Sequence, residues 1–475
     1  MGFDFLDFGF PKSGTDWKSI NGKPFITVSS KGRSNGLSTK INDGADFGPD
    51  TTLGATSPNQ TGPPYSSTLG IQEAINYATI NGIELHMKPG YYLIPSTTSY
   101  SVNTFNGVVT EYLFSIPLPS SSKFYTLKII GDGVDVENQN LTSSQSGYTN
   151  NNAVVIDATN VIVPYTNPAN VYMLSPEMVN STNWGYYSPL EIYIQNVNFI
   201  VPANSCGLNL SYNTQSILKS VSVIGNGAYP YNGTTGIITQ GGAGYDSNWN
   251  DDIYIQNFAT GMLVLNQWTV IGSLSLMSCT VGLQLSNANS AQLMAWIGWL
   301  NITDCGTSIT NRASSTSVGL YIGAYSSSFT NTSPVVPPVD VNDENSLAIY
   351  IGLFNKYNNS NNTYYPFLAP SGSGMYTYIA RIVGNTGQGF LIPEPTIPAV
   401  PASGTAQQNT YNYPVNVYLY GGTVTEIQLT RNGTAYTVFS NASGLALSGQ
   451  VYKLNPSDSI TITYTTAPTW EWLSD

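Results

Sequence analysis

Between Pro189 and Asn311 the chain keeps returning to a short unit in which a glycine opens a run of alternating residues. The copies are Gly207-Leu208-Asn209-Leu210, Gly236-Ile237-Ile238-Thr239, Gly261-Met262-Leu263-Val264, Gly282-Leu283-Gln284-Leu285 and, more loosely, Gly306-Thr307-Ser308-Ile309. Their glycines lie 29, 25, 21 and 24 residues apart. A second unit runs ahead of them, an apolar stretch closed by a small polar residue: Ile194-Gln195-Asn196, Ile255-Gln256-Asn257, Leu276-Met277-Ser278 and Ile302-Thr303-Asp304. Period-two strands separated by Gly, Asn and Ser, at a repeat of roughly 20–30 residues, point to a solenoid whose stacked element is the strand. Helical periodicity is missing from this stretch. Each turn can then satisfy its backbone only by pairing with its neighbours, about 4.8 Å away, so the expected body is a parallel β-helix.

The chain before the repeat supplies what a solenoid needs at its open end. Residues 1–40 are polar and irregular, with turn signals at Asn21-Gly22 and Asn35-Gly36, and read as an N-terminal arm or anchor. From 68 to 81, Ile71, Ala74, Ile75 and Ala78 fall at i, i+3, i+4 and i+7, which predicts a short helix. Thr68 is placed to cap its start and Gly82 to end it. Strands Ile83–Met87 and Tyr91–Ile94 follow around the turn Lys88-Pro89-Gly90, and Leu127–Gly133 comes later, with the coils expected from near Tyr125.

Four pieces in this order resemble the opening of pectate-lyase-like right-handed β-helix proteins. They are Ala45–Gly48, Gly70-Ile71-Gln72-Glu73-Ala74-Ile75, Pro89-Gly90-Tyr91-Tyr92-Leu93-Ile94 and Ile129-Ile130-Gly131-Asp132-Gly133. The resemblance implies an all-β protein with a right-handed, pectin-lyase-like parallel β-helix over 41–390, whose open N-terminal end is covered by a short capping helix. Such a plug hides unpaired backbone and core side chains of the terminal coil. Where family members often carry consecutive acidic residues before the helix, this chain has Ser66-Ser67-Thr68. The fold hosts lyases, hydrolases, tailspikes and adhesins alike, so the resemblance implies architecture and not activity.

Later coils are expected at Gly319-Leu320-Tyr321-Ile322 and Ser346–Leu353, and the Pro-rich stretch 391–408 reads as a linker. Residues 409–475 read as a small C-terminal β-sandwich. Its strands are Val415–Tyr420, Val424–Thr430, a hairpin through Asn432-Gly433 into Ala435–Phe439, then Ser459–Tyr464 and Trp470–Leu473. The ending Ala467-Pro468-Thr469-Trp470-Glu471-Trp472 resembles terminal modules of structural proteins from archaeal viruses.

Charge narrows the partners. Charged residues make up 9% of the chain, the formal net charge is −12 and the pI is about 4.4. Scattered Lys and Arg on an acidic chain argue against nucleic acid or an anionic membrane surface as partner. No apolar run is long enough for a membrane span. Asp4 and Asp7 occupy the place of a signal peptide's basic and apolar regions, so no leader is expected. Eleven Asn-x-Ser/Thr sequons are candidate glycosylation sites: Asn59, Asn140, Asn180, Asn209, Asn232, Asn301, Asn331, Asn358, Asn361, Asn432 and Asn441. Three cysteines, Cys206, Cys279 and Cys305, match neither a disulfide framework nor a zinc site, and no metal or other cofactor is expected. Aligning Ser278 with Asp304 stacks Cys279 over Cys305, either as buried thiols, the favoured reading, or as a bridge.

Chemistry has few places to sit. The acids between Pro189 and Asn311 are Glu191, Asp246, Asp251, Asp252 and Asp304, with Lys219 the sole base from Ile129 to Asn311. Glycoside hydrolysis needs two carboxyl groups roughly 5–9.5 Å apart. Asp246, Asp251 and Asp252 are the weak catalytic candidates, and strand alternation should send Asp251 and Asp252 to opposite faces. The chain's single His86 lies outside the coils and reads as structural. Carbohydrate binding asks less: aromatic faces with polar neighbours suffice, and Trp249, Asp251, Trp296 and Trp299 are the candidates. Trp296 and Trp299 are separated by an odd number of positions, so one of them is expected to point into the core. The leading expectation is an extracellular or virion-surface structural protein of the tailspike, fibre or turret type that binds host-surface glycans. Its partners would be copies of itself, as a homotrimer with solenoids side by side, and other virion or surface proteins. The alternatives are a secreted glycoside hydrolase or polysaccharide lyase, and a purely structural coat or envelope component.

Overall fold

The computed structural model describes residues 18–20, 23–30, 45–105, 108–117, 125–133, 153–163, 167–177, 190–211, 215–227, 233–240, 247–265, 267–286, 293–312, 318–329, 339–343, 347–358, 365–368, 376–384, 397–411 and 414–474. The chain divides into two compact units, 1–382 and 383–475.

The first unit is all-β apart from one α-helix and one short 3-10 turn among the described residues. A 14-stranded sheet carries the long strands, among them Lys23–Val28, Glu84–Met87, Tyr125–Gly131, Leu190–Val201, Gln215–Gly225, Ser247–Gln256, Gln267–Met277, Leu293–Thr303, Val318–Phe329 and Leu347–Asn358. Each of these pairs in parallel with the next. The short strands between them, such as Cys206–Leu210, Thr235–Gln240, Thr260–Leu265 and Val281–Ser286, build a 10-stranded second sheet, also parallel rung to rung. Successive strands therefore alternate between two stacked sheets, and the chain winds as a parallel β-helix. The winding starts earlier than the sequence suggests: Lys23–Val28, inside the expected arm, already pairs with Glu84–Met87.

The repeated glycines now have a physical cause. A Cβ on Gly207, Gly236, Gly261 or Gly282 would lie 2.3, 2.6, 2.7 and 2.7 Å from the carbonyl oxygen of the next rung, supplied by Gly236, Gly261, Gly282 and Ser308. No side chain fits there. Ile309 pairs with Leu283, so Ser308 holds this ladder position and the looser unit at Gly306 is out of step by two residues. The small polar residues that close the apolar stretches are left-handed corner residues: Asn196, Asn257, Ser278 and Asp304 have φ of 55°, 64°, 51° and 54°. Asn and Asp tolerate this conformation best because their short polar side chains bond locally. They serve two different corners. Asn196 aligns with Ser220 and Asp252, also left-handed, halfway along the long strand, whereas Asn257, Ser278 and Asp304 stand at its end.

Ile71–Asn81 forms the expected helix, with Ile71, Ala74, Ile75 and Ala78 buried against the first rungs of both sheets. Gly82 ends it at φ 63°. The N-cap is Gly70 and not Thr68; Thr68 Oγ1 instead accepts from the Gln72 backbone N–H at 3.2 Å. The Ser66 hydroxyl donates to the buried Glu73 carboxylate at 2.7 Å, so this short hydroxyl run solvates an acid inside the cap. The Gln72 side chain bonds both backbone groups of Ser115, donating to its carbonyl and accepting from its N–H at 2.8 Å each.

The second unit is a five-stranded antiparallel sheet. Strand Val415–Arg431 pairs along its first half with Thr469–Ser474 and along its second with Ser459–Thr466, with irregular register around Gly421-Gly422. Both halves feed one core that includes Val417, Leu419, Ile427, Ile462, Trp470 and Trp472. Strand Val415–Arg431 thus runs continuously through both halves of this unit. The hairpin at Asn432-Gly433 is present, with φ of 49° and 77°. The described part of the expected linker belongs to this unit: Ala406–Gln408 pairs with Ser459–Thr466, and Trp470 Nε1 donates to the Pro398 carbonyl at 2.7 Å.

Gly261→Ala should lower the stability of the solenoid by about 1–3 kcal/mol, the usual cost of forcing atoms into a packed site. Denaturant titration checks this, and an unchanged midpoint would contradict the ladder argument.

Candidate functional site

The outward face of the long sheet carries a second repeat, visible in the sequence once the register is known. Val270-Ile271-Gly272, Trp296-Ile297-Gly298, Tyr321-Ile322-Gly323 and Tyr350-Ile351-Gly352 stand one above another on four consecutive rungs. The four isoleucines are buried in the core. Gly298 and Gly323 are exposed, and a Cβ on Gly298, Gly323 or Gly352 would lie 2.6, 2.7 or 2.6 Å from the preceding rung's glycine carbonyl. Close approach of backbone, and not an unusual φ, demands glycine here. A Cβ on Gly272 would run into the Asp251 carboxylate, which rests over that residue from the rung before.

The bare ladder forms the floor of a shallow trough. One bank is aromatic: the Trp296 and Tyr321 rings stack at 5.8 Å and 13°, and Tyr321 and Tyr350 lie 6.3 Å apart at 36°. These offset pairs fall within the usual range for aromatic contacts, yet Tyr321 and Tyr350 each remain 41% exposed. On the other side stands Trp299, 54% exposed and next to Gly298, with Ser273, Ala324 and Leu353 at the matching positions of the other rungs. Exposed neighbours at 298 and 299 mark the corner where the strand turns, and this corner resets the in-out alternation. Neither Trp296 nor Trp299 therefore enters the core, contrary to the expectation from their odd spacing. The same corner turns Asp251 and Asp252 both outward, Asp251 exposed and Asp252 half-buried at φ 54° with a bond from the Ser220 hydroxyl at 3.2 Å. Strict alternation had sent them to opposite faces.

The remaining sequence candidates are spread more widely. Trp249 sits in register between Ile217 and Val270, two rungs below Trp296, where the aromatic bank starts. Asp246 lies outside the described residues, as do Asn140, Asn180, Asn232, Asn331 and Asn361. Asn358 ends the strand Leu347–Asn358, Asn301 and Asn441 are part-exposed, Asn432 occupies the hairpin turn, and Asn59 is exposed. Asn209 is buried and donates to Ser175 Oγ at 3.0 Å, so the folded chain cannot present it for glycosylation. Cys279 and Cys305 occupy adjacent rungs as free, buried thiols, the Cys279 N–H lying 3.4 Å from Cys305 Sγ. Burial pushes the Cys305 thiol well up, and the Cys206 thiol up to about 12, so neither is poised as a nucleophile.

Nearer the capping helix the same outward face holds an ionic cluster. His86 Nδ1 is 2.6 Å from Asp132 Oδ1, its Nε2 is 3.5 Å from Glu84 Oε2, and Lys128 Nζ is 3.0 Å from Glu84 Oε1. His86 is buried with its ring against Phe25 at 4.7 Å. Burial alone would raise the Glu84 carboxyl, but hydrogen bonds from Lys128 and His86 outweigh it and hold the group below the ordinary range. The cluster clips adjacent rungs together, in keeping with a structural His86. Among the described residues no group of three or more His, Cys, Asp or Glu could hold a metal ion, and no helix is long and apolar enough to cross a membrane. No protein-family model matches the chain, and no curated protein matches it.

A carboxyl depressed by folding stabilises the protein above its unfolded pKa, near 4.3 for Glu, and that stabilisation is lost as the pH falls through the lower folded value. Unfolding free energy should therefore decline on acidification below about pH 4.3, and Glu84→Gln should flatten that decline. Equal slopes for the two proteins between pH 5 and 3, measured by denaturant titration at each pH, would remove Glu84 from the account.

Proposed function

We propose that the protein is a surface structural protein of the tailspike or fibre kind that binds host-surface glycans along its solenoid wall. The observation that carries this is the trough: a glycine floor, the Trp296, Tyr321 and Tyr350 bank, and Trp299 opposite. Sugars present an apolar ring face edged with hydroxyls, which suits aromatic side chains beside open backbone and short polar groups. Of the four sequence candidates, Trp296 and Trp299 edge this trough, Asp251 stands at its foot and Trp249 lies one rung away in register.

The finer architecture belongs to the same reading. The β-helix is right-handed and pectin-lyase-like, as the N-terminal motifs suggest, and the C-terminal unit plays the part of a terminal sandwich module like those of archaeal virus structural proteins. The protein works outside the cell, at a virion or cell surface, as a homotrimer in contact with other surface proteins. Strand Thr434–Leu454 supports the oligomer: it is an edge strand, and Tyr436, Val438, Leu445 and Val451 are 44–53% exposed along it. Long apolar edges of this kind are normally covered.

A second reading, a polysaccharide hydrolase or lyase, has one observation in its favour, the shared outward aspect of Asp251 and Asp252. Its sign would be release of reducing ends or unsaturated product from a bound polysaccharide.

A glycan array probed with the intact protein should give discrete hits, and Trp299→Ala should weaken them by about 0.5–1.5 kcal/mol, a two- to tenfold loss. Sedimentation should report three copies. An array without hits would overturn the glycan reading, and a monomeric mass would overturn the trimer.

A further inference from the structure

We infer that the trough takes an uncharged glycan chain lying along the solenoid axis, one sugar ring to each rung, and that it rejects chains bearing uronate or sulfate groups. This rests on the glycan reading and adds the class and the direction of the ligand.

The direction comes from the spacing. The trough runs from Gly272 to Gly352, three steps of about 4.8 Å or roughly 14 Å in all. Its ring-to-ring distances of 5.8 and 6.3 Å lie close to the advance per residue of an extended pyranose chain. A chain laid along the axis keeps the glycine ladder beneath it at each step and an aromatic ring beside it at three of the four rungs, whereas a chain laid across it leaves the trough after one ring. The floor favours an extended chain as well. With no Cβ at Gly298, Gly323 or Gly352 the ligand can ride against backbone, and bulky substituents pointing downward have nowhere to go.

The class comes from charge. The trough positions themselves, 270–273, 296–299, 321–324 and 350–353, contain no Lys, Arg, Asp or Glu, and Lys356 lies four residues beyond Gly352 on the last strand. An anionic sugar would lose water against these positions and gain no counter-charge from them, and an unpaired desolvated charge is costly. At one end the Asp251 carboxylate rests over Gly272. A carboxylate there accepts hydrogen bonds from sugar hydroxyls and repels a carboxylate or sulfate. Asp251 thus acts as a stop and as a charge filter.

The test uses the full-length protein on an array carrying both neutral and acidic glycans, followed by calorimetric titration with the neutral oligosaccharide series matching the best hit. Hits confined to neutral glycans, with affinity rising to about four rings and then levelling as a trough of roughly 14 Å requires, support the inference. Acidic glycans among the wild-type hits overturn it while leaving glycan binding intact; an array without hits removes both. Asp251→Lys, an exposed change whose folding is verified by circular dichroism, should admit acidic oligosaccharides at least about tenfold better, equivalent to about 1.4 kcal/mol. Unchanged rejection of acidic chains by this variant overturns the filter role of Asp251.

Discussion

Everything in the solenoid depends on how closely one rung's backbone can approach the next. Parallel rungs at about 4.8 Å leave little room at corners, where carbonyls swing toward the neighbouring Cα. Glycine is the response at two places. At the start of the short strands, Gly207, Gly236, Gly261 and Gly282 clear the carbonyl of the rung above. On the outer wall, Gly298, Gly323 and Gly352 clear the carbonyl of the rung below. The first ladder is a packing necessity hidden within the coil. The second answers the same constraint in the open, and there the missing side chains become a surface that a ligand can use.

This shared origin explains how much of the fold could be read from the residues. The Gly-Leu-x-Leu units are regular because a hard steric limit recurs at every rung, and a limit of that kind leaves its mark in sequence. The capping helix was equally legible, since Ile71, Ala74, Ile75 and Ala78 form one buried stripe. What could not be read was where corners interrupt the alternation. Ser220 and Asp252 turn left-handed in mid-strand, and Gly298 with Trp299 turns without a positive φ, so a strict two-residue period fails at those points. That failure sent one tryptophan and one aspartate to the wrong side.

The site suffered from the same cause. Trp296, Trp299 and Asp251 were recognisable as types, but Tyr321 and Tyr350 were lost among 33 tyrosines until register placed them beside Trp296. The aromatic-Ile-Gly triplets at 296–298, 321–323 and 350–352 were the available signal. In the C-terminal unit, strands look short in sequence because Gly421-Gly422 interrupts them, while in space Val415–Arg431 continues through the bend and joins both halves of the sheet. Pro-rich residues before it resemble a tether by composition, yet Pro398 offers its carbonyl to Trp470.

Gln72 shows how such a stack can be kept finite. A parallel sheet is a template that invites one more strand, and the N-terminal rung would recruit any extended segment that came near. By lending its amide to both backbone groups of Ser115, Gln72 imitates a single peptide unit and then leads away into a helix, which has no further edge to offer. One side chain thereby occupies a stretch of strand edge at Ser115 that lies beyond the pairing of Ser101–Phe105 with Val108–Tyr112.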